Sequence, residues 1–464
     1  MTNMKHDIFL RLVKLANAMC MSMIFAVIWV QCYGPQQYQT GFYRRGNWLI
    51  TGIFFFLYFV FGRTYDAFQV SLNKVTEMVF SQTFALIVTD VSMYAITWLL
   101  TRHLPTLWPI LLIFILQICA AFVWSFLARI WYFRTFTAKK TMVIYDMREG
   151  MDRLISEYGL DTKFDTRTVC TIQEALEDPV SSLNGFETVY LCGVHSHERN
   201  IILKLCVEQG IQVYVIPRIG DVLMSSAKRM HMYHLPVLRV DRYNPTVEYI
   251  LLKRLTDILL SGAALILASP IMAVVALAIK SDGGPALYKQ VRLTKDGKEF
   301  KVLKFRSMRV DAEKDGIARL STGENDDRIT PVGKVIRKFR LDELPQLINI
   351  LKGDMSIVGP RPERPEIAAE YEKELPEFRL RLQAKAGLTG YAQVYGKYNT
   401  IPYDKLVMDL MYIAHPSLLE DLKIMLSTVK ILFVPESTEG IDAGATTAME
   451  NKESGYRVSE GSES

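Results

Sequence analysis

The chain has 464 residues, half of them hydrophobic, with a formal net charge of +5. That length suits two or three domains. Six cysteines at positions 20, 32, 119, 170, 192 and 206 form no CxxC pair, which argues against both a disulfide framework and a thiolate zinc site. The polarity is lopsided: apolar runs fill the first 135 residues, whereas the last 185 are charge-rich.

The apolar runs fall near Leu12 to Cys32, Trp48 to Phe61, Gln82 to Leu100 and Leu107 to Trp131. About 20 apolar residues cross a bilayer as a helix, so the first, third and fourth qualify and the second is marginal. No small-residue cleavage site follows the first, so it does not read as a cleavable signal. Lys5, Arg11, Lys14, Arg63, Lys74, Arg129, Arg134, Lys139 and Lys140 lie on one side of a four-helix arrangement, against Arg44, Arg45 and Arg102 on the other. The excess of basic residues puts both ends of the bundle in the cytoplasm. Asp90 falls inside the third run; an intramembrane acid points to function, with a polar contact inside the bundle as the alternative.

From Thr141 to about Tyr249 the pattern changes. TMVIYD, TVYLCG and QVYVIP read as buried parallel strands, with helices near Gly150 to Tyr158 and Glu198 to Gln209. This is a doubly wound, Rossmann-like α/β pattern. The first turn, Asp146-Met147-Arg148-Glu149-Gly150, lacks GxGxxG, so a structural, regulatory or dimerising module is favoured over a nucleotide site. His195 and His197 read as solvated loop residues rather than ligands.

A further apolar run spans Ile258 to Ile279, long enough to cross a membrane. Ser269-Pro270 sits in its middle, where proline removes a backbone hydrogen bond and kinks the helix. Both ends are basic, with Lys253 and Arg254 before it and Lys280, Lys289 and Arg292 among the residues after it. A crossing would export that basic region, so a helix that enters, bends and returns to the same face is expected; a kinked fifth span is the alternative.

Beyond it, Tyr288-Lys289-Gln290-Val291-Arg292 and Lys301 to Met308 place cations beside aromatic residues. Such sets suit phosphates, lipid headgroups or a solvated basic strand, and composition weighs these equally. Asp311 to Arg328 reads as a polar loop, and Thr330-Pro331 restarts a helix. The stretch from Lys334 to Glu363 then sets Asp342 beside Glu343, starts a helix through Pro345 to about Lys352, and ends in a Pro360-Arg361-Pro362 turn. The two carboxylates would sit at the positive end of that helix, where a divalent metal and a phosphate can be held together. An isolated Asp-Glu pair is usually a surface feature; Arg337, Arg340 and Arg361 nearby change that balance. Leu418, Leu422, Met425, Val429 and Leu432 recur at helical spacing and suit the membrane interface or ordinary core packing. The tail from Glu436 is rich in Ser, Gly, Thr and Glu and reads as disordered.

From Lys253 to about Phe433 the chain resembles the bacterial sugar transferases, the monotopic phosphoglycosyl transferases that act on polyprenol phosphate. The matching pieces, in order, are Lys253-Arg254 with Asp257, Ser269-Pro270, Gln290 with Arg292, KFRSM, LDELPQLINILKGDMSIVGPRP, GLTGYAQVYG from Gly387, and Asp409 and Asp421. The four preceding helices and the degenerate α/β segment resemble the long members, typified by undecaprenyl-phosphate glucose or galactose phosphotransferases. Two positions depart from the pattern: Thr294 stands where the family usually has Gly, and Ala386 where Pro commonly precedes the GLTG block.

The resemblance implies transfer of a hexose 1-phosphate from a UDP-sugar, glucose or galactose by preference and an N-acetylhexosamine as the alternative, to undecaprenyl phosphate with release of UMP. It assigns Asp342 as nucleophile and Glu343 as the Mg²⁺ ligand, with phosphate or nucleotide held by Arg361, Arg337 and Lys304. Gln290, Arg292, Asp409 and Asp421 complete the substrate-binding set, and Ser269 and Pro270 form the membrane hairpin. The architecture expected is a transmembrane four-helix bundle over 1–135, an α/β domain over 136–250, a mostly helical catalytic domain over 251–435 with a re-entrant hairpin at 253–280, and a tail over 436–464. Such a protein sits in the bacterial inner membrane with its soluble parts in the cytoplasm and initiates exopolysaccharide, capsule or O-antigen synthesis. Its partners would be the two substrates and membrane lipid, with a homodimer and polysaccharide-assembly proteins as further candidates and no nucleic acid. A non-catalytic membrane scaffold, or a Mg²⁺ phosphotransferase that releases a diphosphate, are the competing readings.

Overall fold

In the computed structural model the described residues are 2–33, 44–101, 103–146, 150–243, 245–281, 283–310, 312, 328–396 and 400–431. The loop expected at 311–328, apart from Ala312 and Arg328, and the tail expected from Glu436 lie outside them. The chain divides into two compact units: Met1–Tyr145 with Gly150–Tyr214, and Val215 onward with residues 146–149.

The first unit opens with four long helices, α1 (Thr2–Cys32), α2 (Arg44–Thr64), α3 (Val75–Thr101) and α4 (Trp108–Thr135), which contain the four apolar runs. All four are long and apolar enough to span a membrane. Their polar side chains point inward. Asn17 Nδ2 donates to Gln82 Oε1 at 3.1 Å, the Tyr58 hydroxyl donates to Asn17 Oδ1 at 2.8 Å, and Gln82 Nε2 donates to Ser125 Oγ at 3.0 Å. Trp48, Val91 and Leu99 face outward. Lipid tails leave polar groups unsatisfied, so this inverted polarity is what a membrane bundle requires. Asp90 is buried in the bundle, and neither carboxyl oxygen has a hydrogen-bond partner among the described residues.

The α/β part follows, with β1 (Lys139–Tyr145), α5 (Met151–Glu157), β2 (Phe164–Thr171), α6 (Ile172–Glu177), α7 (Pro179–Leu183), β3 (Thr188–Cys192), α8 (Ser196–Glu208) and β4 (Gln212–Ile216). The sheet order is β2-β1-β3-β4, and β1 runs parallel to both β2 and β3. Met142, Ile144, Val189 and Leu191 pack with Ile202 and Cys206 of α8. Strands form at all three expected places, but only β1 and β3 are buried, β4 being partly exposed throughout; β2, which carries no continuous apolar run, is an additional strand. His195 and His197 are exposed at the start of α8.

The second unit begins with α9 (Ile219–Ser225) and the antiparallel hairpin β5 (Lys228–Met232) and β6 (Leu235–Arg239). The sequence pattern groups these residues with the α/β segment, but Val222 of α9 is buried in the core of the second unit, among Leu406, Leu410 and Phe378. Next come α10 (Val247–Ser281), the antiparallel pair β7 (Leu287–Leu293) and β8 (Glu299–Phe305), α11 (Pro331–Lys338) and α12 (Gln346–Lys352). The remaining elements are β9 (Ser356–Val358), α13 (Pro365–Glu374), β10 (Gly387–Thr389), α14 (Tyr391–Tyr395), α15 (Pro402–Ala414) and α16 (Leu418–Ile431).

Helix α10 is continuous over 35 residues with Pro270 inside it, about 52 Å at the usual helical rise. It too is long and apolar enough to cross a membrane. One side of it packs on the core: Ala264 and Leu265 against Val302 and Ile350, then Val275 and Ile279 against Phe305 and Ile336. Leu251, Leu255, Leu259, Ile266, Leu267, Val274 and Leu277 are exposed on the rest of its surface. Two arginines fasten its ends. Arg254 donates to the Ile350 and Leu351 carbonyls at 2.7 and 2.8 Å, closing the C-terminus of α12. Arg306 donates to the Ile279 carbonyl at 3.1 Å and the Gly283 carbonyl at 2.6 Å, closing the C-terminus of α10.

Strands β9 and β10 run parallel, and β9 leads into the Pro360-Arg361-Pro362 turn. Glycine is required where their ends meet. A Cβ on Gly359 would strike the Lys385 carbonyl oxygen, and one on Gly390 would strike the Gly359 carbonyl oxygen. Gly359→Ala should therefore destabilise this unit by about 1–3 kcal/mol, the usual cost of overpacking. Thermal unfolding of the detergent-solubilised protein checks this; an unchanged midpoint would show that the strands separate without cost.

Candidate active site

Thr330 caps α11, its hydroxyl accepting from Gly333 N at 2.9 Å, with Pro331 in the first turn. The helix ends at Lys338, Arg340 takes a left-handed conformation with φ of 51°, and Leu341–Glu343 forms a 3₁₀ turn. Helix α12 then starts at Gln346 with Pro345 as its N-cap residue. The acidic pair thus lies in the turn before the helix rather than in the helix itself. Its electrostatic environment is set mainly by side chains.

Glu343 Oε1 receives both Lys304 Nζ of β8 at 2.9 Å and Arg361 Nη2 at 3.3 Å. Burial opposes its ionisation, but the charges of Lys304, Arg361 and Arg340 outweigh burial and hold the carboxyl well below the usual carboxylate range. Asp342 shifts the other way. Burial and then the Glu343 charge push it up, with Lys304 and Arg337 opposing. Arg337 lies on the last turn of α11, and its buried Nη1 has no hydrogen-bond partner among the described residues. Neighbouring carboxyls shifted in opposite directions by burial and by the surrounding cations are a pattern found at reaction centres.

A second layer surrounds Arg361. Arg292 Nε and Nη2 donate to Gln290 Oε1 at 3.0 and 2.7 Å, and Arg292 Nη1 donates to the Pro362 carbonyl at 3.0 Å. Glu363 lies 3.7 Å from Arg292 and 3.6 Å from Arg381. Burial raises the Glu363 carboxyl, but Arg381 and Arg292 bring it below its ordinary value. Arg381 Nη2 donates to the Arg361 carbonyl at 2.9 Å and lies 2.7 Å from Asp409 Oδ2. Asp409 thus connects to Arg361 through Arg381, which sits in a polar 3₁₀ segment with no motif to mark it.

The structure brings Asp342, Glu343, Lys304, Arg361 and Arg337 together, with Gln290, Arg292 and Asp409 behind them. It places Asp421 in a separate buried cluster. There Lys253 Nζ lies 2.9 Å from Oδ2, the Tyr412 hydroxyl donates to Oδ1 at 2.7 Å, and the Tyr249 hydroxyl donates to Oδ2 at 3.0 Å. This cluster fastens the start of α10 to α15 and α16. Ser269 and Pro270 lie along α10, the Ser269 hydroxyl donating to the Ile266 carbonyl at 2.7 Å.

Among the described residues no group of three or more His, Cys, Asp and Glu side chains could cage a metal. One or two carboxylates beside cations suit an ion completed by substrate phosphates, as Mg²⁺ commonly is. Helices long and apolar enough to cross a membrane point to a membrane-associated protein, with a mixed-charge centre built around two carboxyls.

The sequence model of the bacterial sugar transferase family matches residues 248–435. The chain is 37% identical over 234 residues to a UDP-N-acetylgalactosamine-undecaprenyl-phosphate N-acetylgalactosaminephosphotransferase of Aeromonas hydrophila, covering 50% of this chain and 54% of the relative. It is 41% identical over 212 residues to the UDP-glucose:undecaprenyl-phosphate glucose-1-phosphate transferase of Escherichia coli K12, covering 44% of each. A Caulobacter vibrioides protein of the same description is 39% identical over 199 residues, which cover 42% of this chain and 74% of the relative. The chain thus spans about half the length of the first two relatives and most of the third. It belongs to the bacterial sugar transferase family.

Proposed function

We propose that this protein transfers a hexose 1-phosphate from a UDP-hexose, glucose or galactose, to undecaprenyl phosphate and so initiates synthesis of a surface polysaccharide. The observation that carries the reading is the acidic pair itself: Glu343 held ionised by Lys304 and Arg361, next to an Asp342 whose carboxyl is pushed up. In the first step an Asp342 carboxylate oxygen attacks the β-phosphorus of the donor, forming an acyl phosphate while the bond to the UMP oxygen breaks. In the second, an oxygen of undecaprenyl phosphate attacks the same phosphorus, giving the lipid diphosphate sugar and freeing Asp342. Arg361, Lys304 and Arg337 hold the phosphates and offset the charge that develops on them. Glu343 would hold Mg²⁺, which when bound adds a further positive charge to the phosphate oxygens.

The contacts of α10 support a one-sided insertion. Residues on both sides of Pro270 pack in two clusters that both include β8 residues, Val302 and Phe305, which favours a helix that stays on one face of the bilayer over one that carries its second half across. The catalytic unit then lies at the cytoplasmic surface, where a soluble donor and a lipid headgroup both reach Asp342. The first four helices serve as a membrane bundle and the α/β part as a Rossmann-like regulatory or dimerising module. A donor carrying an N-acetyl group is the second reading, favoured by the Aeromonas relative.

The test uses purified full-length protein with Mg²⁺ and a panel of UDP-sugars. Without lipid, about one equivalent of UMP should appear together with a phosphosugar adduct on the protein; adding undecaprenyl phosphate should give continuous UMP release. Release of UDP, or lipid-independent turnover, would refute the reaction as written.

A further inference from the structure

We infer that Thr294 is a positioning residue for donor binding, acting through the turn that carries Arg361. Its hydroxyl joins three segments. Ala386 N donates to Thr294 Oγ1 at 3.2 Å, and the same hydroxyl donates to the Asp354 carbonyl at 3.1 Å. Thr294 follows directly after β7, Asp354 precedes β9 and Ala386 precedes β10. The Ala386 carbonyl in turn accepts from Ser356 N at 2.9 Å, and Gly387 N donates to the Pro360 carbonyl at 2.9 Å. One side-chain oxygen thus ties the end of the β7–β8 hairpin to the start of β9, which leads into the Pro360-Arg361-Pro362 turn, and to the start of its partner β10.

Packing does not replace this bond. Thr294, Pro360, Arg361, Glu363 and Ala386 line one small cavity, so the turn has open space on that side and is held by hydrogen bonds. Ala386 is 3% exposed, leaving its N–H no solvent partner if the hydroxyl is removed; a buried orphan donor is costly. The turn in question delivers Arg361 to Glu343. A loosened turn therefore weakens the grip on the donor phosphates before it alters the attack by Asp342.

Proline at 386 would have no N–H to satisfy, and glycine at 294 would have no hydroxyl to satisfy one, so exchanging both removes donor and acceptor together. The Ala386 N–H donates to the Thr294 hydroxyl and the φ of Ala386 is not positive, so proline is expected to fit there.

The positioning role rests on the donor reading above, whereas the pairing of 294 with 386 does not. The experiment compares full-length Thr294→Gly, Thr294→Ala, Thr294→Ser, Ala386→Pro and the double variant T294G/A386P. The readouts are the thermal midpoint without substrate, and KM and kcat for the UDP-sugar that the panel shows to be used fastest. T294G and T294A should raise KM about tenfold, with a smaller change in kcat, and lower the midpoint; T294S should match the parent. Adding A386P to T294G should recover most of both losses, since no donor is then left unsatisfied. A parent-like KM in T294A, or a T294G/A386P midpoint no higher than that of T294G, would overturn the inference. Failure of the parent to release UMP from any UDP-sugar would overturn the donor reading and the positioning role with it, and the midpoints would still decide the pair.

Discussion

Asp342→Asn should lower UMP release by about a thousandfold or more and abolish the phosphosugar adduct. The substitution keeps the shape of the side chain and leaves the contacts of Glu343 with Lys304 and Arg361 in place, so the loss tests the proposed attack by the Asp342 oxygen. Because burial and Glu343 raise the Asp342 carboxyl, its reactive ionised form should be lost on acidification at a higher pH than an ordinary aspartate would lose it. The acid limb of the pH–rate profile of the parent reads this directly. Retention of a tenth of the activity by the Asn variant would move the nucleophile elsewhere.

The second large effect concerns stability. Lys253 and Asp421 are mostly buried, with side chains 15% and 6% exposed and 2.9 Å between them. Lys253→Met strands the Asp421 charge among the Tyr249 and Tyr412 hydroxyls, which should cost about 3–5 kcal/mol, the usual penalty for breaking a buried pair from one side. Burial, together with the Asp421 charge, pushes the Tyr412 hydroxyl well above its ordinary range, so it stays a neutral hydrogen-bond donor and supplies no positive charge in place of Lys253. Removing both charges in K253M/D421L should restore most of the loss. Thermal unfolding in one detergent measures the set; equal midpoints for K253M and the parent would mean that water reaches the pair. The same comparison separates the two acids named from sequence, because Asp409 is bound to Arg381 behind Arg361 and its loss should act on the donor as well as on stability.

The parts of the fold legible in the sequence are those with a local cause. Pro331 and Pro345 mark helix starts because a missing N–H is harmless there, and the four membrane helices announce themselves by length and hydropathy. Strand β2 was hidden because its residues are mostly polar and exposed at the sheet edge. Helix α9 was hidden for another reason: its seven residues have no period long enough to read, and only the core of the second unit reveals which way Val222 faces. In the site, Glu343 and Arg361 are 18 positions apart and fall in one recognisable stretch. Lys253 and Asp421 are 168 apart, and Thr294 and Ala386 are 92 apart. No sequence period links such pairs, so their partnership follows from tertiary structure alone.

The two arginine clamps join α10 to the segments beside the acidic pair. Arg254 leaves α10 to close α12, and Arg306 leaves β8 to close α10, so the apolar helix and the segments beside the acidic pair complete one another's backbone bonding. Loss of either arginine side chain would leave carbonyls at a helix end without their partner and loosen the join between the apolar helix and the segments beside the acidic pair.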